Sequence, residues 1–79
     1  MTNELRNKII DLAASYFANW QACLAALEYD EAREYGDRYE GAMRTAALIG
    51  IEESEIKDHA WRKWGDEIGK LYDGNHASV

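Results

Sequence analysis

The sequence predicts an all-α fold, an antiparallel three-helix bundle with helices over about residues 4–28, 31–49 and 54–73. Three observations predict it. Apolar residues recur at steps of three and four along the chain, the period of helices that turn one face to a core. Proline is absent from all 79 residues, so nothing forbids long helices. Oppositely charged residues stand four apart between the apolar rows, as in Glu4–Lys8, Glu34–Arg38, Glu40–Arg44, Glu53–Lys57, Asp58–Arg62, Arg62–Asp66, Lys63–Glu67 and Asp66–Lys70, where they support a solvated helix face.

The first helix is the organising one. Leu12–Leu27 is a run of sixteen residues without a charge, between Asp11 and Glu28. Two apolar rows pass through it, one of Leu5, Ile9, Leu12, Tyr16 and Cys23, the other of Ile10, Ala13, Phe17, Trp20, Leu24 and Leu27. Together they make a stripe wider than a coiled-coil seam. Thr2 or Asn3 caps its start, with Glu4 in the first turn where the helix dipole favours a carboxylate. The charged segment after Glu28 and the capping chemistry of Asp30 place a break near residues 28–30. No Gly or Pro enforces that break, and Leu24 and Tyr35, eleven apart, are nearly in phase on one straight helix. The alternative is therefore a long helical hairpin, with helices 1 and 2 continuous from Glu4 to Ile49, dimerising into a larger bundle.

In the second helix Ala32, Tyr35, Tyr39, Ala42, Ala46 and Ile49 step by threes and fours, with Met43 beside them. A glycine inside a helix costs about 1 kcal/mol relative to alanine. Gly41, away from the apolar row, reads as tolerated weakness, whereas Gly36, next to it, reads as a notch that admits a large ring such as Trp20. Gly50 is a C-terminal stop of the left-handed kind, and Ile51 is placed to fold back on the helix end. The third helix starts at Ser54 or Glu52 and carries Ile56, Ala60, Trp61, Trp64, Ile68, Leu71 and Tyr72. It is expected to pack in the groove between the other two and to end at Asp73-Gly74-Asn75. Residues 1–73 then form one domain and 74–79 a flexible tail.

Bulk properties exclude several classes of function. A core of this size seldom supplies more than about 3–5 kcal/mol, so small domains commonly add disulfides, metal or oligomerisation. One cysteine cannot make an internal disulfide, and no Cys/His spacing suggests zinc. Self-association is the remaining route. The lone Cys23 fits a reducing, cytoplasmic setting and reads as a small core residue. The net charge of −6 argues against direct nucleic-acid or anionic-lipid binding, which needs a basic face, and suits a basic protein partner. A membrane span needs about 20 predominantly apolar residues. The uncharged run is shorter and has Asn19 and Gln21 in its middle. Its flanks are also wrong for a cleaved leader.

No enzymatic constellation emerges. Thr2, Ser15, Thr45, Ser54 and Ser78 lie in no strand–turn–helix elbow. His59 borders the Ile56/Ala60 row and reads as a boundary residue bonded locally. Glu28, Asp30, Glu31 and Glu34 lack the Glu-x-x-His of di-metal bundles and the spacing of a calcium loop. The glycines are single and cradle no phosphate. No catalytic residue, cofactor or metal ligand is assigned.

Aromatic content is the one anomaly. Three Trp, five Tyr and one Phe exceed what so small a core encloses, and tryptophan, tyrosine and arginine dominate interface hot spots. The expected interaction surface comprises Tyr29, Tyr35, Tyr39, Trp61, Arg62, Trp64 and Tyr72. The function expected is a small acidic, non-enzymatic protein-interaction module, a homodimer that also binds a basic protein surface. An inhibitor or accessory protein of the phage or mobile-element type, with an anti-CRISPR or other anti-defence role, is one form of it. The alternative is a small-ligand binder with an aromatic pocket between Phe17, Trp20, Tyr39 and Trp64.

Overall fold

Thr2 begins the first helix, its side-chain oxygen accepting the N–H of Leu5 at 3.2 Å. The computed structural model describes residues 2–76, which form three helices: α1 (Asn3–Ala25), α2 (Tyr29–Leu48) and α3 (Glu53–His76). Among the described residues there is no strand, and no helix is long and apolar enough to cross a membrane.

The two turns are the same device built from different residues. At the end of α1, Leu27 sits in the left-handed region at φ 63°. Its N–H donates to the Leu24 carbonyl at 3.1 Å, and the Glu28 N–H reaches back to Cys23 O at 2.8 Å. At the end of α2, Gly50 has φ 82°, and the N–H groups of Gly50 and Ile51 donate to Ala47 and Ala46, each at 3.1 Å. Both pairs of bonds satisfy carbonyls that a helix end would otherwise leave open. The second turn follows expectation, with Ile51 buried as it folds back. The first separates α1 from α2, so the continuous rod does not form. It also stops α1 three residues before the expected end at 28. Asp30, expected as a cap, lies with Glu31 inside the first turn of α2, and Glu28 precedes the helix without a side-chain cap bond.

Ser54 likewise falls in the first turn of α3 rather than at its cap. Asp73-Gly74-Asn75 does not end that helix, which runs on to residue 76, with Asn75 Nδ2 donating to Leu71 O at 2.8 Å. The tail expected from 74 is thus helical as far as 76, and residues 77–79 lie outside the described residues.

Packing makes α1 the shared element. Its second row supplies Ile10, Ala13 and Phe17 to a core that Tyr39 and Ala46 of α2, Ile51 of the turn, and Ile56 and Ala60 of α3 complete. Alanines on all three helices are fully covered, letting the backbones approach closely. α2 and α3 each lie along α1 and barely touch each other. The expected position of α3, in a groove between the other two, is therefore corrected: α3 takes the far flank of α1, parallel to it. Three contacts in register fasten that flank, Arg6–Glu55 at 2.6 Å, Asp11–His59 at 3.0 Å and Asp11–Lys63 at 2.8 Å. Bonding of His59 is thus cross-helix rather than local. Of the expected four-apart pairs, Glu4–Lys8, Glu40–Arg44 and Glu53–Lys57 form. Arg38 instead stacks over Tyr35, and Arg62 bonds the backbone of Asp58.

The result is an open arrangement. Its radius of gyration is 13.4 Å, against about 11.6 Å for a compact domain of this length.

Candidate functional site

The clearest hollow lies where α2 and α3 fail to meet, over the floor that α1 provides. Trp20 of α1 lines it, and Phe17, one turn earlier, is buried against Trp20. Trp20 can seat there because Gly36 of α2 has no side chain: a Cβ at that position would lie 3.3 Å from both Cε2 and Nε1 of the indole. The notch expected from the sequence is present, and it admits the ring expected. One turn further on α2, Tyr39 packs against Phe17 (ring centroids 5.2 Å) and Trp20 (5.9 Å), and its hydroxyl donates to Glu53 Oε2 of α3 at 2.8 Å. Burial, and then the facing Glu53 carboxylate, push this phenol well above the ordinary tyrosine range.

α3 supplies the other wall at four-residue spacing. Lys57 Nζ is 3.7 Å from Glu53 Oε2 and lies over the Phe17 ring, 5.7 Å from its centroid, a cation–π distance. Trp61, a turn later, stands edge-on to Phe17 at 5.7 Å, as Trp20 does at 6.0 Å. Phe17 is thus the hub to which all three helices bring a ring or a cation. The groove holds about 470 Å³, open to solvent, with Met43 on its wall and Arg33, Asp37 and Glu40 exposed around it.

The seven residues expected to form the surface are distributed unevenly. Tyr29 is 63% exposed, Trp61 46% and Tyr72 54%. Tyr29 is two turns before Gly36, on the groove's side of α2, whereas Trp61 borders a separate hollow with Asp58 and Arg62, and Tyr72 follows Trp61 three turns on along α3. Tyr39, at 4% exposed, is a wall of the core and not a surface ring. Tyr35 is half-buried under the Arg38 guanidinium, 5.3 Å from its centroid. Arg62 is exposed one residue round α3 from Trp61. Trp64, about 60° round α3 from Trp61, shares a second hollow with Ser15, Ala18 and Ala22 of α1, with Lys63 above it. Of the four residues expected to form a pocket, only Trp20 and Tyr39 line the groove; Phe17 is buried behind them, and the ring that reaches it from α3 is Trp61 rather than Trp64. The sequence marks Glu53 and Lys57 only as a surface pair and Met43 only as a neighbour of the apolar row, not as site residues. The steps 53, 57 and 61 along α3 were the available signal.

Elsewhere the chemistry is sparse. Asp11 accepts from both Lys63 and His59, and these bonds, Lys63 first, hold its carboxyl below the ordinary range. Cys23 is half-buried rather than core. Desolvation, then the charges of Glu28 and Glu31, raise its thiol pKa, which opposes the thiolate a nucleophile needs. Among the described residues no group of three or more His, Cys, Asp or Glu side chains is placed to hold a metal ion.

Compared with known proteins, the chain matches no family model, no curated protein and no solved structure.

Proposed function

We propose that this chain is a non-enzymatic protein-interaction module that docks a basic segment of a partner protein in the groove between α2 and α3, and that also pairs with itself. The observation that carries the reading is the groove, lined by Trp20, Tyr39 and Met43 between α2 and α3, with the exposed ring of Trp61 one turn beyond Lys57, on a chain that also exposes Tyr29 and Tyr72 and has a net charge of −6. Aromatic residues give a partner large contact area at little entropic cost, and the overall negative field speeds encounter with a positive one. An amphipathic helix laid in the groove would touch both α2 and α3 and stand where a bundle would have its fourth helix. Small size and acidity also suit an inhibitor that covers a basic, nucleic-acid-handling surface, which is the anti-CRISPR or wider anti-defence form of the same reading. The half-buried thiol Cys23 fits a cytoplasmic setting.

The test is a fluorescence titration. Lys/Arg-rich amphipathic peptides are expected to shift tryptophan emission, with an affinity that falls as salt rises and collapses in Trp61→Ala. Acidic peptides of the same pattern serve as the control. Equal responses to both peptides, or none to either, overturn the reading. The groove volume also lies in the range of small-molecule pockets, roughly 300–1,000 Å³. A saturable metabolite response without any peptide response would favour that alternative.

A further inference from the structure

The two apolar rows of α1 fare differently on folding. The second row supplies Ile10, Ala13 and Phe17 to the core. The first, Leu5, Ile9, Leu12 and Tyr16, steps by four, three and four, which keeps it on one face, and the fold leaves that face uncovered along part of its width. Leu5 is 51% exposed and Leu12 53%, while Ile9 and Tyr16 are only partly buried against the core. Leu12 lies about 140° round the helix from Phe17, so this strip turns away from the groove.

Area and charge both bear on what covers it. The chain exposes 5455 Å², about 600 Å² more than a compact monomer of 9.0 kDa is expected to expose. A stable interface takes about 800 Å² from each partner, so the surplus is of the size one pairing would absorb. Two copies carrying −6 each repel, and in a twofold contact the same patch meets itself. The patch must therefore be poor in charge. α1 has none from Leu12 to its end at Ala25, and the charges beside the strip are paired, Lys8 with Glu4 and Asp11 with Lys63 and His59.

We infer that a second copy of this chain covers the strip, the two α1 helices meeting about a twofold axis through the Leu5, Ile9, Leu12 and Tyr16 face. The inference names the surface for the self-pairing in the proposed function. It does not use the groove, so the two fail separately.

Light scattering after size exclusion, across a dilution series from nanomolar to millimolar, tests it. The wild-type chain is expected to reach twice its 9.0 kDa mass and to dissociate on dilution. Leu12→Glu places like charges opposite each other at the contact and is expected to weaken pairing about a hundredfold or more, with wild-type helical circular dichroism. Leu5→Glu is expected to do the same, and it decides the matter should Leu12→Glu lose helicity. Trp61→Ala, on α3 and away from the strip, is expected to leave the mass unchanged. A single-chain mass for the wild type throughout overturns the inference. So does undiminished pairing in both glutamate variants, or pairing lost only in Trp61→Ala. Basic-peptide titration of monomeric Leu12→Glu reports on the groove independently of any of these outcomes.

Discussion

Two glycines on one helix give the sharpest check on the packing. At Gly41 an added Cβ meets nothing within 4 Å, so Gly41→Ala should collect the whole helix-propensity gain of about 1 kcal/mol. At Gly36 the same methyl lands 3.3 Å from Cε2 and Nε1 of Trp20, closer than the 3.5–4.0 Å optimum for carbon contacts, and 3.6 Å from Cδ2. The indole would have to retreat by a few tenths of an ångström. Behind it stand Phe17 and Tyr39, at 6.0 and 5.9 Å between centroids, and both are buried. Overpacking of this kind costs about 1–3 kcal/mol, which cancels or exceeds the propensity gain. Gly36→Ala is therefore expected to be at least about 1 kcal/mol less stable than Gly41→Ala, a gap of roughly 4–8 °C in Tm at this size. Urea unfolding followed by circular dichroism measures it, and tryptophan emission reports the displaced ring. Equal stabilisation by the two substitutions would mean Trp20 is not seated against α2, and the described groove floor would be wrong.

Other outcomes follow from the turns and the interhelical bonds. Leu27 and Gly50 share a left-handed backbone, so Gly50→Ala should lose about 1 kcal/mol and Leu27→Gly should gain a comparable amount, both read from urea midpoints. Tyr39→Phe removes the hydroxyl bonded to Glu53 and should cost about 1 kcal/mol, the carboxylate being partly exposed. Because the folded phenol is raised above its ordinary value of 10, its contribution is complete below pH 10 and declines above it. Tyr39→Phe should flatten that alkaline decline in an unfolding series against pH. Asp11 has the opposite sign: its folded pKa is below the ordinary value of 3.8, so its contribution is present above that pH and is lost as pH falls through the folded pKa. Asp11→Asn should reduce acid sensitivity, by less than about 1 kcal/mol because the pair is half exposed.

Much of this arrangement was legible in the residues. Spacing gave three helices, Gly50 and Ile51 gave the second turn, and Gly36 beside the Tyr39 row gave the notch for Trp20. The first turn was harder to place because Leu27 occupies a position that glycine usually marks, and a leucine there looks like one more apolar helical residue. Asp73-Gly74-Asn75 misled in the other direction: breaker residues there are absorbed by a helix whose apolar face is already docked through Ile68. The candidate site was legible only in part. Periodicity ranks Trp61 and Trp64 alike, since both fall on the apolar side of α3. Which ring joins Phe17 depends on the angle at which α3 crosses α1, a quantity no single helix encodes. The missing Glu34–Arg38 and Lys63–Glu67 pairs have a similar cause, for Tyr35 and Asp11 offered those cations better partners.

Since α2 and α3 lean on α1 and scarcely on each other, cooperativity in this fold has one centre. Damage to α1 is transmitted to both flanks, whereas loosening of one flank reaches the other only through the middle helix. Amide exchange should therefore be slowest in the central turns of α1, with α2 and α3 opening as separate units, each able to yield to a partner while its opposite stays closed.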